Sequence, residues 1–129
     1  MIFRYTILYV ADVKAALDFY RRAFGVETSF LHESGDYGEL KTGDTKLAFS
    51  SVALMKQLGK SPAAADPKHP VFEIAFETDD VEASLKRAVD AGATLIMPAT
   101  KQDWGQTISY VSDPNGCLVE ICNAVPSPG

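Results

Sequence analysis

The sequence has no run approaching the roughly 20 apolar residues that span a bilayer, so no membrane helix is expected. Nor does it hold a block of lysine or arginine. The densest basic pairs are Arg21-Arg22 and Lys86-Arg87, both within predicted helices, and the formal net charge is −5. A chain without a basic patch cannot neutralise a row of phosphates, which excludes the common modes of nucleic-acid binding. These pairs read as solvated helix faces. The opening Met1-Ile2-Phe3-Arg4-Tyr5 enters strand-like sequence directly, without the succession that marks a secretory leader, and the expected compartment is the cytoplasm. Cysteine is scarce. Cys117 and Cys122 fall in one predicted strand at an odd separation, which points them to opposite faces, so two reduced thiols are expected and not a bridge or a shared metal site.

What is present is an internal repeat. Asp12-Val13-Lys14-Ala15-Ala16-Leu17 is matched by Asp80-Val81-Glu82-Ala83-Ser84-Leu85. Each copy follows an apolar, strand-like run (Tyr5 to Val10, and Val71 to Thr78), and each leads to a helix stopped by glycine, Gly25 in one and Gly92 in the other. Two copies make a pseudo-dimer, not a solenoid. The first helix is predicted over about Asp12 to Phe24, with Val13, Leu17, Tyr20 and Phe24 on one face, Asp12 as N-cap and Gly25 as left-handed terminator. The second is predicted over about Asp80 to Ala91, with Val81, Leu85, Ala88 and Val89 inward and a capping box from Asp79 to Glu82.

Strands follow each helix. In the first copy they are about Glu27 to Glu33, Tyr37 to Thr42 and Lys46 to Ser51, with Gly43-Asp44 as a hairpin signal. In the second they are about Thr94 to Ile96, Gln106 to Ser112 and Cys117 to Ala124, with a turn at Asp113-Pro114-Asn115-Gly116. The order βαβββ thus occurs twice, at about 1–51 and 71–125, and predicts one α+β domain over 1–129. The segment 52–70 carries a short predicted helix (Ala53 to Leu58) and then a Pro/Ala/Gly-rich stretch, read either as a connector or as a lid.

Helices cover one side of such a sheet, and alternation shows which side. Leu8, Val10, Ile74, Phe76, Val119 and Ile121 are assigned to the helix side. Tyr5, Ile7, Tyr9, Glu73, Ala75, Glu77, Leu118, Glu120 and Cys122 are left on the other. Aromatics mixed with carboxylates pack poorly and line a pocket well. A strand carboxylate is often simply wet; Glu120, flanked by apolar residues on both sides, needs a partner, a proton or a metal if it is buried.

The opening Tyr5-Thr6-Ile7-Leu8-Tyr9-Val10-Ala11-Asp12 with Ala16-Leu17-Asp18-Phe19-Tyr20 and Phe24-Gly25-Val26 resembles the first module of the vicinal-oxygen-chelate (glyoxalase/bleomycin resistance protein/dioxygenase) superfamily. The ending Trp104-Gly105-Gln106, Tyr110-Val111 and Asp113-Pro114-Asn115-Gly116-Cys117-Leu118-Val119-Glu120-Ile121 resembles its second. Together they cover nearly the whole chain except the linker and the Pro-Ser-Pro-Gly tail. The resemblance implies paired βαβββ modules forming a cupped mixed sheet with helices on the outer face, commonly completed in a homodimer. It also implies four metal-ligand positions, which fall here on Tyr5, Ala48, Glu73 and Glu120. Ala48 offers no ligand atom, a phenol is a poor ligand, and two carboxylates alone suit a hard divalent ion weakly. His32 and His69 fall away from those positions, so glyoxalase I chemistry is disfavoured. Metal-free members sequester drugs such as bleomycin or mitomycin, and Trp104-Gly105-Gln106 is similar to an element of theirs. Trp104 is open to two readings, a flat face for a planar ligand or a plug at the sheet edge.

Two functions follow as expectations. The first is a small-molecule binding protein without a tightly bound metal, its pocket lined by Tyr5, Tyr9, Glu73, Trp104, Gln106 and Glu120, and its ligand aromatic or cationic. The second is a divalent-metal-dependent lyase, isomerase or dioxygenase with Glu73 and Glu120 as metal ligands and Glu120 as catalytic group.

Overall fold

The computed structural model describes residues 1–126; the end of the expected 1–129 domain, with most of the Pro-Ser-Pro-Gly tail, lies outside them. The chain divides into two compact units, Met1–Ala63 and Ala64–Gly129. The first holds β1 (Tyr5–Val10), α1 (Val13–Phe24), β2 (Thr28–Leu31), β3 (Tyr37–Leu40), β4 (Lys46–Ser51) and α2 (Val52–Gln57). The second holds β5 (Glu73–Glu77), α3 (Val81–Asp90), β6 (Thr94–Lys101), β7 (Thr107–Ser112) and β8 (Leu118–Cys122). Each unit is a four-stranded mixed sheet, ordered β1-β4-β3-β2 in one and β5-β8-β7-β6 in the other. The first and last strands of each unit run parallel as neighbours, Ile7 beside Ala48 and Ala75 beside Glu120. The remaining pairs are antiparallel. The expected α+β architecture of repeated βαβββ order is present.

The helices begin and end where backbone chemistry directs. Asp12 caps α1 by accepting the Ala15 N–H at 3.1 Å, and Gly25 ends it with φ 71°, a conformation that costs glycine little. Val13, Leu17 and Tyr20 are buried on its inner face. In α3 the expected capping box is displaced by one residue. Asp80, not Asp79, is the N-cap, its Oδ1 accepting the Ala83 N–H. Both aspartates are able to cap; the extended backbone at Asp80 (φ −138°, ψ 91°) decides between them. Val81, Leu85 and Ala88 are buried as expected, but Val89 is 39% exposed, because it lies at the margin of a short helix. The basic pairs lie on exposed helix surface. Arg21 and Arg22 both donate to Asp18, at 2.7 and 2.9 Å, and Lys86 pairs with Asp90 at 2.7 Å.

β6 is longer than its sequence indicated, running through Pro98 to Lys101. It is an edge strand whose register shifts between Leu95 and Met97 and again between Met97 and Thr100. An edge tolerates a residue without an N–H, which is how the strand survives its proline. The expected face assignment holds in both units. Leu8, Val10, Val119 and Ile121 are buried, whereas Tyr5, Ile7 and Tyr9 are at least 39% exposed. On β3, Gly38 and Leu40 turn toward the helix side. A methyl at Gly38 would lie 2.7 Å from Leu17 Cδ1, so glycine there lets α1 approach the sheet. Among the described residues, no helix is long and apolar enough to cross a membrane.

Candidate functional site

In each unit the face turned away from the helix carries the candidate chemistry. In the second unit, β5 contributes Glu73, Ala75 and Glu77 and β8 contributes Leu118, Glu120 and Cys122. β7 adds Ile108, Tyr110 and Ser112, because Tyr110 is the register partner of Glu120. Glu73 and Glu120, expected on one face, are indeed neighbours. Partial burial holds the Glu120 carboxyl above its ordinary range, and the charge of Glu73 and a side-chain hydrogen bond with it add to the effect. Burial and a neighbouring like charge both disfavour the ionised form of Glu120. The Tyr110 phenol is pushed up to about 12, by burial first and then by Glu120 and Glu73. Cys122 is raised by burial and by the charges of Glu120, Glu77 and Glu73. The open face of this unit therefore groups the carboxyls of Glu73 and Glu120 with the Tyr110 phenol.

Both cysteines are free and buried. The Cys117 thiol is pushed up to about 12 by burial and by Asp113. That carboxylate organises the turn before β8 by accepting the N–H groups of Asn115 and Cys117, both at 2.9 Å. At Gly116 (φ 87°) a Cβ would collide with the carbonyl oxygen of Ala65, so the turn admits only glycine.

Trp104 and Gln106 lie in the turn joining β6 and β7, where Gly105 takes φ 92°. The indole N–H donates to Gln106 Oε1 at 2.8 Å, and Gln106 Nε2 donates to the Asn123 carbonyl at 2.9 Å. These bonds run to each other and to the end of β8, not to the two glutamates. They pin the indole by its nitrogen and leave its ring 56% exposed, so Trp104 presents a face and is not a buried plug.

In the first unit, Tyr5, Ile7 and Tyr9 line β1 on the open face. The Tyr9 hydroxyl accepts from Lys60 Nζ at 3.1 Å, and the same ammonium lies 5.3 Å from the Tyr9 ring centre. Ala48 is fully buried. Its register partner on β3 is Glu39, which the sequence reading did not single out. The Tyr37 hydroxyl donates to Glu39 Oε2 at 2.8 Å. Its phenol is raised well above the ordinary value by burial, by Glu39 and, more weakly, by Tyr5. Tyr37, Glu39 and Tyr110 are thus additions to the candidate set. The signal was present as alternation, since Tyr37 and Glu39 flank the helix-facing Gly38. Both histidines are exposed. His32 is engaged in its own turn, its Nδ1 accepting the Ser34 N–H at 3.0 Å.

The four positions that would hold a metal offer two carboxylates, a phenol and a methyl. Among the described residues, no three His, Cys, Asp or Glu side chains gather into a group that would hold an ion. This donor set does not fit a metal cage built from protein ligands.

Residues 2–121 match the family described as Glyoxalase/Bleomycin resistance protein/Dioxygenase superfamily. The chain belongs to this superfamily. Within reach of this glyoxalase-superfamily sequence are YraH of Bacillus subtilis (strain 168), 24% identical over 117 residues that cover 88% of this chain and 91% of YraH. A second relative is an ethylmalonyl-CoA/methylmalonyl-CoA epimerase of Cereibacter sphaeroides, 29% identical over 121 residues that cover 87% of this chain and 90% of the epimerase. A glyoxalase-related enzyme from Fulvimarina pelagi superposes with a TM-score of 0.81 at 24% identity, covering 94% of this chain and 86% of that one. TioX from Micromonospora sp. ML1 superposes at 0.72 with 20% identity, covering 95% and 98%. At these identities the solved structures establish the glyoxalase-superfamily fold and nothing finer.

Proposed function

We propose that the protein binds a small aromatic or cationic molecule on its open sheet faces, without a tightly bound metal. The observation that carries this reading is the placement of Glu73 and Glu120 beside Tyr110 on one open sheet face, an acidic patch whose donor set falls short of a metal cage. Such a patch attracts positive charge, the exposed Trp104 ring supplies flat apolar surface in the same unit, and Tyr5 and Tyr9 supply it separately on the open face of the first unit. The same reading takes the chain to act as a cytoplasmic homodimer that sequesters its ligand. Elemental mass spectrometry on protein purified without chelator or affinity tag tests the metal clause; the expected result is no stoichiometric metal. Binding of a panel of planar cations is then followed by isothermal titration calorimetry. Glu120→Gln and Trp104→Ala should each weaken binding, and unchanged binding with both in place would sink the pocket assignment.

A second reading rests on the same two carboxylates. One of them would take a proton from the carbon beside a carbonyl and the other return it, as an isomerase requires; the epimerase relative carries that activity in its name. Near-stoichiometric metal lost in Glu73→Ala or Glu120→Ala, or solvent-deuterium exchange into an acyl thioester that Glu120→Gln abolishes, would put this reading first.

A further inference from the structure

We infer that the open face of the first unit is a subsite for an organic ammonium ion, with the Glu39 carboxylate as its counter-charge and the rings of Tyr5, Tyr37 and Phe30 as its walls. The inference rests on the binding reading above and names the ligand class that this unit takes. It begins with placement. Gly38 and Leu40 face the helix, so Tyr37 and Glu39 necessarily face outward. Phe30, the register partner of Glu39 across the β2–β3 pair, is 40% exposed, and its ring centre lies 6.4 Å from that of Tyr37. Glu39 therefore sits half-buried beside Phe30 and Tyr37, with the fully buried Ala48 as its register partner on β4.

The partner given to this carboxylate is a phenol and not a basic side chain. The phenol supplies one proton to one oxygen and no positive charge. A carboxylate in aromatic surroundings is matched by a diffuse cation that is held by ring faces as well as by charge, the chemistry of quaternary and tertiary amines. A compact metal ion would need further oxygen ligands that this face lacks. A second observation on the same face is independent of Glu39. At the far end of β1 the ammonium of Lys60 rests over Tyr9 and donates to its hydroxyl, with Met55 Sδ also 3.4 Å away. The protein thus already places one of its own ammonium groups on the aromatic surface of this sheet.

Benzyltrimethylammonium, a permanent cation, and its uncharged isostere neopentylbenzene are the probes, titrated into the full chain and followed by amide NMR. The cation should bind more tightly than the isostere and shift Phe30, Tyr37 and Glu39. Glu39→Gln should weaken the cation about fivefold and leave the isostere unchanged, as loss of one partly screened charge requires. Glu39→Asp, which keeps the charge, should retain the preference for the cation and guards against a folding artefact. Equal binding of the two probes, or no binding of either, overturns the subsite. Binding of the cation that Glu120→Gln weakens and Glu39→Gln does not would also overturn it while leaving the acidic patch of the second unit as the ligand site.

Discussion

Replacing Gly38 by alanine should destabilise the first unit, although it puts a better strand former into a strand. A Cβ built on Gly38 meets Leu17 Cδ1 at 2.7 Å, Val13 Cγ1 at 3.2 Å and the Phe30 carbonyl oxygen at 3.3 Å. The nearest of these belongs to a side chain that can rotate, but Leu17 is only 3% exposed and Val13 only 1%, so rotation displaces other buried atoms. Overpacking of this kind costs about 1–3 kcal/mol. The gain from removing a strand glycine is about 0.5–1 kcal/mol. The midpoints leave a net loss of about 1 kcal/mol, or a fall in Tm of roughly 3–5 °C at this chain length. Urea denaturation followed by circular dichroism at pH 7 measures it. The decisive arm is the double variant. Leu17→Ala alone should cost about 2–5 kcal/mol, but it removes the obstructing Cδ1, so Gly38→Ala in that background should be neutral or stabilising. An equal cost in both backgrounds would refute the claim that Leu17 is what keeps residue 38 a glycine.

Two further outcomes check other parts of the structure. Asp80→Ala should destabilise by about 1 kcal/mol through loss of the α3 cap, while Asp79→Ala should stay within about 0.5 kcal/mol; thermal melts that reverse this order would restore the capping box at Asp79. At Glu120 the folded chain holds its proton to higher pH than the unfolded chain, whose value is near 4.5. The folded state therefore binds more protons in the window above that value, and stability falls as pH rises through it. Glu120→Gln should flatten this slope and be the more stable protein at neutral pH; parallel pH–stability curves for the two proteins would count against a raised Glu120.

Much of this was legible in the sequence because it rests on local rules. The repeat at Asp12 and Asp80, the stop at Gly25, and the turn at Asp113-Pro114-Asn115-Gly116 depend on caps and backbone conformations that neighbouring residues dictate. The alternation in β1 and β8 placed Glu120 and Tyr5 on the correct face. What escaped depended on partners distant in sequence. Glu39 is unremarkable in Tyr37-Gly38-Glu39-Leu40 until the register sets it beside Ala48, and Tyr110 until it is set beside Glu120. Pro98 ends a strand by every local criterion, and only its position at a sheet edge allows β6 to continue. The choice of Asp80 over Asp79 was within reach of the repeat, which aligns Asp80 with the N-cap Asp12, but the Asp79–Glu82 spacing pointed the other way.

The parallel contact between the first and last strands of each unit has an evolutionary meaning. Among the described residues, every strand finds its hydrogen-bonding neighbours within its own half of the chain, Tyr5 to Ser51 or Glu73 to Cys122. Backbone pairing is indifferent to which side chains project from the open face. After a duplication, each half keeps its own complete set of pairing instructions, and selection is free to rewrite one face without touching the other. A chain can in this way come to carry phenols, a methyl and Glu39 on one copy and a pair of carboxylates on its twin, two surfaces of different taste made from a single inherited scaffold.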